Sequence, residues 1–301
     1  MRSEAVSAAA IVAGAGLWGV IGVFSRELMD RGLTSMQVTE ARCIVTALMM
    51  AIVILMYDKK LFKIDPKDIW MFIGTGVVGI TTFNILYFEA AEIVSLSMTS
   101  VLLYTAPFFV VIISMFVFRE QITMQKGMSV IIAFIGCLLI SGIVGGREGF
   151  NAQGFLLGLG SGVGYALYTV FGKFALRRYQ PMTLTFYTFL IAALCLIPFS
   201  NLPGMADAAV NTDGALMWMV GLGILITTVP YFLYNYGLKG LDAGVASVIA
   251  FIEPMVATIA GFVIYSESPN AANLIGILMI LAAVILLNID FRRSDTSADI
   301  S

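Results

Sequence analysis

Apolar runs long enough to cross a bilayer recur along the whole chain, and they restrict its folds more than any other feature. A spanning helix needs about 20 mostly apolar residues, and both Ile93 to Phe118 and Gly149 to Gly172 pass that length without a charged residue. Ten such windows are predicted, at residues 5–25, 36–57, 69–89, 93–118, 124–145, 152–175, 181–200, 214–237, 242–265 and 269–290. The second is the least regular, because Glu40 and Arg42 sit in its first turns. The run from Ala5 to Phe24 exceeds the ~7 to 15 apolar residues of a secretory leader and reads as the first span. Composition agrees. Of 301 residues 59% are hydrophobic and 12% charged, about half the ~25% charge of an ordinary soluble domain, and so much apolar surface cannot be hidden inside a water-soluble body of this size. The expected fold class is an all-α integral membrane protein of ten transmembrane helices.

The charges exclude several functions and orient the chain. Lys plus Arg number 17 against 19 Asp plus Glu, so there is no basic surface for nucleic acid. Histidine is absent, which removes the commonest metal ligand and the usual general base and leaves any proton coupling to carboxylates. Cys43, Cys137 and Cys195 lie far apart in apolar stretches and read as small core hydrophobes. No metal or other cofactor is expected. Thirteen basic residues fall on the side of the two termini and the even-numbered loops, and three (Arg26, Arg31, Arg147) on the other. By the positive-inside rule both termini are cytoplasmic, with the chain in the cytoplasmic (inner) membrane.

An internal repeat is legible at a separation of 147 residues. Ser100, Val101, Pro107 and Glu120 match Ser247, Val248, Pro254 and Glu267; Trp18 matches Tyr165, Phe24 Phe171, Arg26 Lys173, Gly76 Gly223 and Tyr87 Tyr234. The units are residues 1–147 and 148–293, with a short cytoplasmic tail at 294–301. Five spans per unit is an odd number, so the second unit enters the membrane inverted, a sequence signature of secondary transporters.

Leu17-Trp18-Gly19, Arg42, Tyr104 to Pro107 leading to Arg119-Glu120, Tyr165 to Tyr168, and Glu253-Pro254 followed by Glu267 give the chain its resemblance to the drug/metabolite transporter superfamily, and within it to the EamA family of ten-span carriers. The likeness covers nearly the whole chain. It implies a central cavity walled mainly by spans 1, 3, 4, 6, 8 and 9, with spans 5 and 10 peripheral, and a substrate drawn from a broad set of metabolites.

Glu253 is the carboxylate deep in an apolar run, about 11 residues or ~17 Å from the start of its helix. An ionised group at that depth is costly and faces a cavity or a partner, so it is a candidate for coupling or cavity charge; bonding to freed backbone is the structural alternative. Pro254 is expected to leave the Ala250 carbonyl without its helical donor. Arg42 lies ~9 Å inside its span, where it pairs with Glu40 or Glu89, snorkels, or meets a substrate carboxylate. Trp18, Asn84, Tyr87, Tyr104, Tyr165, Tyr168, Tyr231, Tyr234 and Asn235, with Phe83 among them, are the candidate substrate contacts, weighed against interfacial anchoring. Trp18 is too deep for an interfacial belt and is expected to face Tyr165 across one cavity. Pro107, Pro254, Glu120 and Glu267 are candidate hinge or gate residues, the two glutamates alternatively being plain solvated helix ends. Gly14, Gly16 and Gly19 spell a GxGxxG inside a bilayer helix with no strand before it, so dinucleotide binding is rejected. They and the ladder Gly158, Gly160, Gly162 and Gly164 point to close helix packing.

The leading reading is a secondary carrier moving a small organic metabolite, an amino acid or amine-like compound, outward by alternating access, with protons as a coupling partner and a monomer or homodimer as the unit. A channel or facilitator, or a non-transporting membrane binding protein, is the alternative. A membrane enzyme fits least, since the chain offers no His and no paired deep carboxylates.

Overall fold

A computed structural model describes residues 2–143, 151–265 and 270–298, with side chains placed over 4–143, 151–265 and 270–287. Ten apolar helices follow one another: α1 (Glu4–Asp30), α2 (Ser35–Tyr57), α3 (Pro66–Ile93), α4 (Leu96–Phe118), α5 (Met124–Ile140), α6 (Ala152–Leu176), α7 (Pro181–Ser200), α8 (Ala215–Gly240), α9 (Ala243–Ile264) and α10 (Ala271–Ala298). A short helix, Leu202–Asn211, lies between α7 and α8. Eight of the ten are long and apolar enough to cross a membrane, while α5 and the apolar part of α10, Ala271–Leu287, are shorter. The fifth helix stops before the predicted residue 145, and Gly142 turns the chain at a φ of 71°. No strand occurs among the described residues.

The helices pack in pairs that map onto one another between the halves. α1 lies along α8 and α6 along α3, α4 touches α6 as α9 touches α1, α2 runs beside α7, and α5 beside α10. Leu48, Ile52, Leu55 and Met56 of α2 and Leu274, Leu278, Leu281 and Ile285 of α10 remain exposed. Stripes of that size are unstable against water but suit a hydrocarbon solvent.

Half of the helices are interrupted. α1 breaks between Trp18 and Ile21, α4 between Leu103 and Ala106, and α9 between Ile249 and Ile252. The breaks in α4 and α9 lie at equivalent repeat positions; that in α1 has no counterpart in the continuous α6. α3 and α8 pass through π-helical stretches, Gly74–Thr82 and Ile224–Thr228. Within them Thr81 Oγ1 donates to Gly76 O at 3.1 Å and Thr227 Oγ1 to Leu222 O at 2.9 Å, each bond reaching five residues back as the wider turn allows. Gly76 and Gly223 then let neighbouring helices close in. A Cβ on Gly76 would meet Thr188 O at 2.8 Å and one on Gly223 would run into the Val45 side chain.

Pro254 does not leave a free carbonyl at Ala250, as the sequence suggests it should. The helix break lets Glu253 N donate to Ala250 O at 2.9 Å, so the acceptor is filled by a tighter turn. Pro107 and Pro254 instead begin the second pieces of α4 and α9, where a missing N–H costs nothing.

Candidate functional site

The breaks of α1, α4 and α9 converge on Glu253. It stands in the first turn of the second piece of α9, and Tyr104, at the break of α4, directs its hydroxyl to Glu253 Oε1 at 3.5 Å. Gly19, at the break of α1, sits so close that a Cβ there would meet Glu253 O at 2.8 Å. Glu253, Tyr87, Tyr104 and Tyr165 keep accessible surface deep in the bundle, so open space adjoins them.

Arg42 makes no ion pair among the described residues. Its Nη2 donates to Asn84 Oδ1 at 3.0 Å, and Asn84 Nδ2 is held by Ile80 O at 2.7 Å. The expected pair with Glu40 or Glu89 does not form among the described residues; residues two apart on a helix point away from each other. A guanidinium carries five N–H donors, and Asn84 is the hydrogen-bond partner of this one among the described residues.

The aromatic candidates divide into two groups. Trp18 is buried against Tyr231 and Tyr234, with ring centroids 4.8 and 5.3 Å away, and its Nε1 has no acceptor. Tyr165 packs on Phe83 at 5.7 Å, so Trp18 and Tyr165 each pack on the neighbouring helix of the opposite half. Tyr168, Tyr234 and Asn235 are already satisfied. Tyr168 donates to Asn235 Oδ1 at 3.0 Å, Asn235 Nδ2 to Thr185 Oγ1 at 3.0 Å, and Tyr234 and Thr169 share a hydrogen bond at 2.8 Å. These three tie α6, α7 and α8 together and are fully enclosed. Tyr87 shares a hydrogen bond with Ser100 at 3.1 Å, linking α3 to α4.

Glu120 is not a solvated helix end. Arg119 closes α4 at a φ of 59°, which turns Glu120 onto the start of α9, where Ala243 N and Gly244 N donate to its carboxylate at 2.7 and 3.1 Å. Lys126 lies 3.6 Å from Glu120 and 3.3 Å from Asp242. Nearby, Lys173 donates to the carbonyls of Leu238 and Leu241, and Arg178 pairs with Asp68 at 2.6 Å. One end of the bundle is thus bound across the halves by ion pairs. At the other end the described crossing contacts include no ion pair: Arg31 donates to Asp213 O and Gln37 to Asn201 O, and Arg26 and Arg31 lie over the Tyr265 and Trp218 rings. Glu267, expected to mirror Glu120, lies outside the described residues.

The glycine pattern holds with one exception. Gly14 faces Pro230 O, and Gly158, Gly160, Gly162 and Gly164 pack on Leu102, Leu86, Thr105 and Phe83, whereas Gly16 has nothing within 4 Å. A cleft of about 340 Å³ at the ends of α2 and α3, lined by Thr34, Ser35, Met36, Phe88, Glu89, Ala91 and Glu92, contains none of the candidate residues. Among the described residues no cluster of His, Cys, Asp and Glu could hold a metal ion. Sequence reasoning missed the Lys126–Asp242 and Asp68–Arg178 pairs, whose members are more than 100 residues apart.

Helix pairs repeated between two halves, with charged and aromatic groups gathered at their broken middle, define a multi-pass helical membrane protein of transporter type. A profile of the EamA-like transporter family matches residues 6–142 and again 152–289, and the chain belongs to that family. An uncharacterized transporter of Archaeoglobus fulgidus is 30% identical over 225 residues, 75% of this chain and 79% of that protein. The uncharacterized transporter YxxF of Bacillus subtilis is 28% identical over 274 residues, 90% of this chain and 85% of its own length. A crystal structure superposes on 95% of this chain and 98% of its own with a TM-score of 0.80 at 17% identity, a likeness of fold alone.

Proposed function

We propose that this chain is a secondary carrier that exports a small organic metabolite, an amino acid or amine-like compound, across the cytoplasmic membrane by alternating access with proton exchange at Glu253. The observation that carries this reading is the convergence of three helix breaks on the half-buried Glu253–Tyr104 contact. A carboxylate lined by aromatic rings suits an ammonium, and a guanidinium bonded among the described residues to Asn84 alone keeps donors for a carboxylate. In this reading all ten helices span, the two units are inverted, both termini are cytoplasmic, and the ion-paired end is the closed cytoplasmic side.

A thermal-shift screen of purified protein tests the substrate class. A ligand present at about 100 times its Kd adds ~2.7 kcal/mol to the folded state. Amino acids or amines are expected to raise the midpoint, and Arg42→Met or Glu253→Gln to remove the rise. A response confined to sugars or nucleobases overturns the class.

A further inference from the structure

Among the described residues, Glu40 is the buried carboxylate that makes no hydrogen bond or ion pair. It is 1% exposed, and neither carboxylate oxygen has a hydrogen-bond partner. It lies five residues inside the start of α2, about 8 Å along the helix axis, on the same face as Gln37, which donates to Asn201 O at the end of α7. Arg42 is turned away to Asn84. α7 and the Ala215–Thr228 part of α8, the elements packed most closely on α2, contain no charged residue. The charged groups on its remaining neighbours are engaged elsewhere or make no bond with it. Arg26 lies over Tyr265, Glu27 pairs with Arg31, and Asp207 accepts from Asn211; Asp30, Glu89 and Glu92 make no bond with Glu40, and Lys59 and Lys60 are at the far end of α2. Cys43, one turn on, is the titratable neighbour on its own helix.

An ionised carboxylate in that setting is opposed by desolvation, and no partner among the described residues offsets it. The equivalent position of the second repeat holds Tyr187, whose hydroxyl is satisfied by Phe62 O at 2.6 Å, so the fold does not require a carboxyl there. We infer that Glu40 is a proton-carrying site in the seam between α2 and α7, separate from the Glu253 centre, loaded while the seam is packed and unloaded when it opens to water. The exchange breaks the carboxyl O–H bond and passes the proton to a water molecule, leaving the carboxylate hydrated. Opening requires loss of the Gln37–Asn201 contact, the hydrogen bond across that seam nearest Glu40.

Infrared difference spectroscopy of the full chain in liposomes reads this directly and needs no transport assay, so its result stands apart from the carrier reading. At neutral pH the protonated-carboxyl C=O band of the wild type is expected to lose a component in Glu40→Gln and to keep that component in Glu253→Gln. Above the midpoint of the group the component falls about tenfold per pH unit. Gln37→Ala, which loosens the seam, is expected to weaken it at neutral pH. A Glu40→Gln spectrum identical to wild type at neutral pH overturns the site, and a Gln37→Ala band equal to wild type overturns its link to the seam.

Discussion

The two halves share their backbone devices and differ in the chemistry placed on them. Both rewind the third helix of the unit around threonine hydroxyls, and both break the fourth at a proline-led second piece. At the positions where the first half sets Arg42 against Asn84 at 3.0 Å, the second sets Phe189 against Tyr231 with ring centroids 4.7 Å apart. Glu40 is answered by Tyr187, Lys126 by Asn273, and Glu253 by Ala106. An aromatic pair is enough to join those helices, so the Arg42–Asn84 pair is not dictated by packing. Under the proposed function, Arg42 and Glu253 serve ligand and proton, while Phe189 and Tyr231 serve cohesion.

Substitutions at paired positions can break that comparison. The largest effect is expected for Phe189→Ala, about 4 kcal/mol from cavity formation in a fully buried site, measured as unfolding in detergent, with the ligand-induced shift retained. Its counterpart Arg42→Met leaves Asn84 Oδ1 without a donor at a cost of about 1 kcal/mol, yet removes the ligand-induced shift. Equal stability losses in the two would erase the distinction between halves.

Next in size is Glu120→Ala, which removes two charge-assisted bonds to the start of α9 and costs about 3 kcal/mol; accessibility labelling should then show the ion-paired end opening. Gly19→Val forces a side chain against Glu253 O and costs about 2 kcal/mol, whereas Gly16→Ala, with open space around it, stays within ~0.5 kcal/mol. Arg178→Ala takes a half-exposed guanidinium from Asp68, which is buried but keeps its bond from the Tyr179 hydroxyl, at a cost of about 1 kcal/mol.

The helices and the two repeats were legible because a bilayer imposes length and apolarity on a span, and Pro107 and Pro254 announced the breaks of α4 and α9 but not that of α1. Glu253 stood out by depth alone. Arg42 was noticed for its charge, but its partner is an amide 42 residues on, which no helical spacing encodes. Tyr168, Tyr234 and Asn235 resemble cavity residues in sequence, since a hydroxyl or amide bonded to a neighbouring helix and one facing a ligand have the same local pattern. Glu120 bonds to backbone N–H groups 123 and 124 residues away, and backbone partners leave no side-chain signal. Glu40 was visible as a charge, but its burial depends on the face of α2 that α7 covers.

Counterflow in proteoliposomes, run across a pH series with wild type and Glu253→Gln, tests the central claim most directly. The wild type should exchange a labelled amino acid or amine, chosen by the thermal-shift screen, with unlabelled compound across the membrane at a pH-dependent rate. Glu253→Gln should lose that pH dependence. No exchange by the wild type, or an unchanged pH profile in the variant, would contradict the account.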